Sequence, residues 1–115
     1  MRKVVLFAFN GEAMCFVHVL LNGLDMKAKG YDVKIVIEGA ATRLIPELNN
    51  RENPLYGLFH KARDNGIIDG ACRACSAKMG TVKDAEAIGL VLLDDMSGHP
   101  GMSRYIDAGY AVMTF

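Results

Sequence analysis

The sequence predicts an α/β sandwich, in which a five-stranded, mainly parallel sheet is covered by helices on both faces. The chain opens on a continuous apolar and β-branched run, Lys3 to Phe9, which is typical of a central parallel strand. Strand-like and helix-like segments then alternate to the last residue, as they do in βαβ units. At 115 residues the chain is long enough for one such domain, 1–115, and too short for two typical ones.

Each element follows from its local pattern. Asn10-Gly11 ends the first strand, and from Glu12 to Lys29 apolar residues recur with helical period until Gly30 ends the helix. Pro46 and Pro54 break the segment 40–63 into two short helices. The other predicted strands are 32–37, 67–71, 90–93 and 110–115, and the other predicted helices follow the cysteine pair, begin near Thr81 and span 102–108.

Charge and composition argue against two classes of partner and favour a third. Thirteen basic side chains balance thirteen acidic ones, so no positive field is available to hold a nucleic acid or an anionic membrane surface. Hydrophobic residues make up 51% of the chain. This content favours strands buried on both faces and a subunit interface, so we expect a homo-oligomer.

The cysteine count and the apolar segments suggest a cellular location. The apolar run at the N-terminus ends at Asn10, which is too short for an export signal, and no segment has the length needed to cross a bilayer. The odd number of cysteines, three, fits free thiols better than a disulfide framework. We therefore expect a cytoplasmic protein, since thiols stay reduced in that compartment.

Polar and reactive residues follow four of the predicted strands. In open parallel sheets, ligands and chemistry gather at the carboxyl ends of the strands. The candidate binding residues at this edge are Asn10, Gly11, Glu38, Gly39 and Arg73. The candidate catalytic residues are Cys72, Cys75 and His99, the last of which lies in the loop from Asp94 to Gly101.

The segment DGACRACSAKMG, residues 69–80, places Cys72 and Cys75 one helical turn apart. Cys72 is predicted at a strand-to-helix junction, where free backbone N–H groups and the helix dipole stabilise a thiolate and lower its pKa. Arg73 adds positive charge, and the thiolate is the species that acts as a nucleophile. Cys75 could resolve or support that thiol, and His99 could act as a general acid or base.

A zinc ion is the main competing ligand for a CxxC pair. The missing half of such a site would have to be Cys15 and His18, and a CxxH spacing inside an amphipathic helix is a weak signal. Asp94 and Asp95 have no second acidic cluster to complete a metal site. No glycine motif for phosphate binding is present either, so the sequence predicts neither a metal nor a cofactor.

The chain resembles the DsrE/DsrF-like family of small cytoplasmic proteins, through the segments KVVLFAFNGEAM, VKIVIEG, GACRACSAKMG and GYAVMTF in that order. The local motif is a cysteine at the end of the third strand, followed by a short helix that ends in glycine, which Cys72 and Gly80 match. The resemblance implies a three-layer α/β/α sandwich with a five-stranded parallel sheet, and assembly into trimers or hexamers. It also implies that the strand-end cysteine carries sulfur as a persulfide. The DDMSGHPG loop has no counterpart in the sulfur-relay members.

The expected function is therefore that of a sulfur carrier. Cys72 would accept sulfane sulfur from a donor and pass it to a thiol of an acceptor protein. Arg73 would stabilise the anion, and His99 and Glu38 would shape the pocket. Two alternatives stay open: a non-catalytic small-ligand-binding or assembly module with incidental cysteines, and a small thiol-based redox protein, peroxiredoxin-like, in which Cys72 and Cys75 form a disulfide.

Overall fold

The computed structural model describes residues 1–115 and contains one five-stranded sheet in which every neighbouring pair of strands is parallel. The strands are β1 (Lys3–Ala8), β2 (Asp32–Ile37), β3 (Ile68–Cys72), β4 (Leu92–Leu93) and β5 (Ala111–Thr114). Their order across the sheet is β4-β3-β2-β1-β5. The predicted α/β sandwich is confirmed, and its sheet is parallel throughout.

Six helices connect the strands. They are α1 (Ala13–Ala28), α2 (Leu44–Leu48), α3 (Tyr56–Asp64), α4 (Arg73–Met79), α5 (Val82–Ala87) and α6 (Ser103–Asp107), with a 3-10 turn, Gly39–Arg43, before α2. None of them is both long enough and apolar enough to cross a membrane. β4 is shorter than the predicted strand 90–93. The backbone N–H of Leu90 still bonds to the carbonyl of Ala85 at the end of α5, so the strand begins later.

The helices are distributed unequally over the two faces of the sheet. One face carries a core of 19 buried residues, drawn from the sheet and from α1, α2, α3 and α5. The other face carries a core of six buried residues that includes Tyr105 of α6. Right-handed crossovers explain the imbalance, because the chain steps in one direction from β1 to β4 and its connecting helices then fall on one face. The return from β4 to β5 runs the other way and places α6 opposite.

Helix α1 packs closely onto the sheet. Its buried residues are Phe16, Val19, Leu20 and Gly23. A Cβ atom on Gly23 would lie 2.9 Å from the Cδ1 atom of Ile35 in β2, so the absence of a side chain lets the helix approach the sheet. Each large apolar side chain that is fully buried in this way contributes roughly 1.5–3 kcal/mol.

The connections that leave the neighbouring strands β3 and β4 lie on opposite faces of the sheet. From the carboxyl end of β3 the chain passes to α4, and from the carboxyl end of β4 it passes to α6 on the opposite face. Such a switch point opens a crevice outside the strand ends, and ligands of α/β sheets bind in that crevice. The topology therefore places the end of β3, at Cys72, beside the loop that follows Leu93.

Candidate functional site

Cys72 is the last residue of β3 and also the N-cap of α4. Its backbone is extended (φ −60°, ψ 122°), and its Sγ atom accepts a hydrogen bond from the backbone N–H of Cys75 at 3.3 Å. The sulfur thus takes the place that a serine or aspartate oxygen usually holds at a helix start. Cys72 is fully buried, whereas Cys75 is half-buried.

His99 reaches the cysteines from a tight hairpin after β4. Met96 and His99 exchange backbone hydrogen bonds of 2.7 and 2.9 Å across a two-residue turn. Ser97 (φ 52°) and Gly98 (φ 89°) both have positive φ, as a type I′ hairpin turn requires. The carbonyl of Gly98 accepts a hydrogen bond from the backbone N–H of Ala74 at 2.9 Å, so the hairpin is attached to the first turn of α4.

The imidazole of His99 lies between the two thiols. Its Nδ1 atom is 3.1 Å from the Sγ of Cys72 and 3.6 Å from the Sγ of Cys75. Glu38, which follows the last residue of β2 and is 6% exposed, completes the group. Its Oε1 atom lies 3.6 Å from the Sγ of Cys75. The two predicted thiols, the predicted histidine and one predicted binding residue are therefore brought together.

These four side chains have the composition and spacing of a metal centre. One ligand atom from each of Glu38, Cys72, Cys75 and His99 lies within 4.8 Å of all the others. Bonds from tetrahedral zinc to sulfur, nitrogen and oxygen are about 2.0–2.3 Å long, which places neighbouring ligand atoms roughly 3.3–3.8 Å apart. Three of the separations, 3.1, 3.6 and 3.6 Å, are close to these edges. No two of the four ligand atoms are farther apart than 4.8 Å, which is about 1 Å beyond the longest such edge, so the side chains would close inward around an ion.

The expectation that the pKa of Cys72 is lowered is wrong. Burial is the largest influence and raises the pKa of this thiol well above its ordinary value. The N–H of Cys75 acts in the opposite direction, but the Cys75 thiol and the Glu38 carboxylate raise the pKa further. A backbone N–H at the start of α4 donates to the sulfur, as predicted, but burial raises the pKa by more than this hydrogen bond lowers it.

The cysteine and histidine that the sequence offered as partners for the CxxC pair lie elsewhere. Cys15 and His18 of α1 are exposed and line a pocket of about 390 Å³ together with Asn10. Asn10 is not part of the four-residue cluster, since its Oδ1 atom accepts the backbone N–H of Glu12 at 2.8 Å. Cys15 and His18, which the sequence analysis weighed as a weak second half of a zinc site, therefore do not lie beside the CxxC pair.

The remaining predicted binding residues have structural contacts. A Cβ atom on Gly11 would lie 2.9 Å from the backbone oxygen of Ala40, so this glycine permits a close approach of two loops. Gly39 (φ 51°) turns the chain at the end of β2. The Nε atom of Arg73 donates to Asp94 at 2.9 Å, in a half-exposed ion pair that joins α4 to the loop after β4. Arg73 was expected to stabilise the Cys72 anion, but its guanidinium pairs with Asp94 and makes no direct contact with the Cys72 sulfur.

The sequence analysis placed these four residues at one edge of the sheet, with Glu38 and His99 shaping the pocket of Cys72, but it could not give the distances between their side chains. Glu38, His99 and the cysteine pair come from three segments that are far apart in the chain, and no spacing rule joins them. The only available signal was that each segment follows a strand of a parallel sheet, which brings its end to one edge. The strand order, which sets β2, β3 and β4 side by side, supplies the rest.

Comparisons with known proteins place the chain among archaeal relatives. No model of a known protein family matches it. A solved structure described as a conserved protein of unknown function, BT1422 from Bacteroides thetaiotaomicron, shares the fold, with a TM-score of 0.71 over 98% of this chain and 95% of that one at 15% identity. An uncharacterized protein of Archaeoglobus fulgidus is 39% identical over 60 residues, which are 52% of this chain and 95% of that protein.

A longer match gives the family. The uncharacterized protein MJ0733 of Methanocaldococcus jannaschii is 35% identical over 96 residues. These residues make up 84% of this chain and 76% of that protein. The chain therefore belongs to the same family as MJ0733 of Methanocaldococcus jannaschii.

Proposed function

We propose that this protein binds one zinc ion through Glu38, Cys72, Cys75 and His99. The observation that carries the proposal is that four ligand atoms of types that zinc prefers, from three separate segments, lie within 4.8 Å of one another. Two thiolates and an imidazole favour zinc over magnesium or calcium, which prefer sites made only of oxygen. The cysteines need a reduced state to bind, so a cytoplasmic location is part of the proposal.

The ion would join the three segments at the switch point. Glu38 is attached to β2, the cysteines lie at the junction of β3 and α4, and His99 lies on the hairpin after β4. The N–H of Cys75 that donates to the Sγ of Cys72 would orient this sulfur ligand from outside the coordination sphere. Because the ion binds the folded chain, it stabilises the protein by about 4 kcal/mol when free zinc is about 1,000 times its dissociation constant.

Metal analysis of the purified protein tests the proposal. After equilibration with zinc and removal of the excess, the wild type should retain one zinc ion per chain. Cobalt in its place should give the absorption of a tetrahedral, thiolate-bound ion. Cys72→Ser, Cys75→Ser and His99→Gln should each lower the affinity by tenfold or more, and Glu38→Gln should do so as well.

Cys15→Ser is the matched control, because this exposed cysteine is not part of the cluster. It should retain zinc as the wild type does. The proposal fails if the wild type retains no zinc, or if Cys15→Ser loses as much as Cys72→Ser. Retention of iron instead of zinc in reduced protein would correct the identity of the metal.

The second candidate function is the sulfur carrier that the resemblance to the DsrE/DsrF-like family implies. It is favoured by the position of Cys75, which is half-buried and shares the His99 contact with the buried Cys72, so that a sulfur atom has a route to the surface. In the loading step, the Nδ1 atom of His99, 3.1 Å from the Sγ of Cys72, accepts the proton of the buried thiol, and the resulting thiolate attacks the outer sulfur of a donor persulfide. A new S–S bond forms on Cys72, and the donor leaves as a thiolate.

The two functions need the same sulfur atoms and can be separated. Intact mass spectrometry of metal-free protein after exposure to polysulfide should show a reductant-sensitive gain of sulfur mass if the protein is a carrier. Cys72→Ser should abolish this gain, and Cys15→Ser should retain it. A protein that holds zinc and gains no sulfur when the zinc is removed is a metal-binding protein and not a carrier.

A further inference from the structure

The two thiols of the proposed metal centre differ in their access to solvent. Cys72 is fully buried, whereas Cys75 is half-buried. The third cysteine, Cys15, is exposed and lies outside the group of four ligands. A reagent that comes from solvent therefore reaches the sulfur of Cys75 before that of Cys72. Both sulfurs are thiolates when they bind zinc, and the thiolate is the form that attacks a disulfide.

The two thiols also lie close enough to bond to each other. Their Sγ atoms are at most 4.8 Å apart. The backbone N–H of Cys75 donates to the Sγ of Cys72 at 3.3 Å, so the first turn of α4 holds both residues together. A disulfide needs a sulfur separation of about 2.05 Å, and residues three apart at a helix start are neighbours, so rotation of the side chains can close the gap. Cys-x-x-Cys pairs form such bonds in thiol oxidoreductases.

A disulfide between these cysteines would remove two of the four zinc ligands. The ligands that remain are Glu38 and His99, which offer one oxygen and one nitrogen. Zinc sites in proteins use three or four side chains. The sulfur of a disulfide is no longer a thiolate, which is the form of cysteine that binds metal ions. Binding of the ion and oxidation of the pair therefore exclude each other.

We propose that the zinc centre is a thiol–disulfide switch, in which a low-molecular-weight disulfide oxidises Cys72 and Cys75 and the ion is released. The inference rests on the proposed function, since it needs a zinc ion at the site. It adds a reaction, the chemical class of the reactant and the order in which the two thiols react. The reduced protein holds zinc, and the oxidised protein does not.

The reaction starts at Cys75, because its sulfur is the one that solvent reaches. Its thiolate attacks one sulfur of the reagent, an S–S bond forms on Cys75, and one half of the reagent leaves as a thiolate. The Cys72 thiolate then attacks the sulfur of Cys75, and the second half leaves as a thiolate. Two electrons pass from the cysteines to the reagent and no proton is exchanged. The departing zinc ion carries the two positive charges that balance the two thiolates released.

Contacts that do not use the ligand atoms keep the site assembled after the ion has left. The hairpin that carries His99 is attached to α4 by the hydrogen bond from the backbone N–H of Ala74 to the carbonyl of Gly98, at 2.9 Å. At the other side of the site, the backbone N–H of Glu38 donates to the carbonyl of Ala8 in β1 at 2.8 Å. Reduction of the disulfide therefore restores four ligands near one another, and the switch is reversible.

Treatment of the zinc-loaded protein with glutathione disulfide tests the inference. Cys15→Ser is the starting protein, so that no thiol outside the site reacts. Released zinc is measured with a chromogenic chelator, and the disulfide is measured by intact mass and peptide mapping. We expect one zinc ion to be released for each disulfide formed between Cys72 and Cys75. The protein should bind zinc again after a phosphine reductant is added.

Two further variants of the Cys15→Ser protein test the order of attack, and both are studied without metal so that zinc does not affect the comparison. With Cys72→Ser added, glutathione should accumulate on Cys75 as a mixed disulfide, because no second thiol displaces it. With Cys75→Ser added instead, the buried Cys72 should react about tenfold more slowly or less. Circular dichroism checks that both variants are folded, since unfolding would expose Cys72.

The outcomes separate this inference from the proposed function. A reduced protein that holds no zinc refutes the proposed function, and the release step with it. A protein that holds zinc and keeps it after the disulfide has formed overturns the inference alone, as does a zinc-loaded protein that forms no disulfide. Equal rates of reaction in the two metal-free variants refute the order of attack.

Discussion

Replacing Gly70 by alanine should separate the two strands that build the switch point. Gly70 lies in β3 next to the short edge strand β4. A Cβ atom at this position would lie 2.4 Å from the backbone oxygen of Val91 and 2.8 Å from the Cγ of Leu93. Carbon atoms cannot approach a backbone oxygen that closely, so β4 must move away. It is held to β3 by only two register pairs, which makes it the element that yields.

The expected loss of stability follows from this overlap. Forcing an extra methyl group into a packed site costs typically 1–3 kcal/mol. For a chain of this size each kcal/mol corresponds to a change in melting temperature of about 4 °C, so a fall of roughly 4–12 °C is expected. Because His99 follows β4, its Nδ1 atom should also move away from the Sγ of Cys72, and zinc affinity should fall with stability.

Thermal unfolding followed by circular dichroism, with and without zinc, measures both effects. Gly57→Ala is the matched control, since Gly57 is an exposed residue of α3 with nothing within 4 Å of an added Cβ atom. That change should leave zinc binding unaltered and should stabilise the protein by about 0.4–1 kcal/mol. If Gly70→Ala melts within 1 °C or so of the wild type, the argument from the close approach of β3 and β4 is refuted.

Three further predictions concern a core residue, the loss of folding stability at high pH and an exposed ion pair. Phe59→Ala, at a fully buried position of the main core, should lower the free energy of unfolding by about 3–5 kcal/mol in a urea titration. Burial and the hydrogen bond to Asp32 raise the pKa of Tyr110 to about 12, above its ordinary value near 10. The raised pKa adds stability that is complete below pH 10 and is lost as the pH rises to 12, so Tyr110→Phe should show a shallower fall in that range; an equal fall would contradict this reasoning. Arg73→Ala removes only a half-exposed pair with Asp94 and should change stability by less than about 1 kcal/mol in the same urea titration, with a larger loss showing that the pair holds the loop in place.

The elements that the sequence predicted well are those with a strong local period. β1, β2 and α1 begin and end within about two residues of the predicted positions, because buried parallel strands and an amphipathic helix each leave a continuous pattern. β4 was predicted poorly, since two paired residues leave almost no pattern and the preceding turn of α5 extends to Leu90. The unequal cover of the two faces depends on strand order, which no local pattern contains.

The candidate site shows the same division. Cys72 was predicted at a strand-to-helix junction, and the structure places it there as the N-cap of α4. The depth of its burial and the resulting rise in its pKa depend on the hairpin and on Glu38, which come from other strands. The sequence offered His99 as a general acid or base and as part of the Cys72 pocket, but a histidine in a turn has no local signature of which side chain it contacts, so the contact with both thiols came from the structure.

The sequence by itself determined the fold class, the spacing of the cysteine pair and the strand-end position of Cys72, because these follow from periodicity and from neighbours along the chain. The sequence also placed Glu38 and His99 at the same edge of the sheet, but the tertiary structure decided that both lie within 4.8 Å of the two thiols and that Cys15 and His18 lie elsewhere. The reason is physical: only the order β4-β3-β2 sets these strand ends side by side, and that order is chosen by burial of the whole sheet.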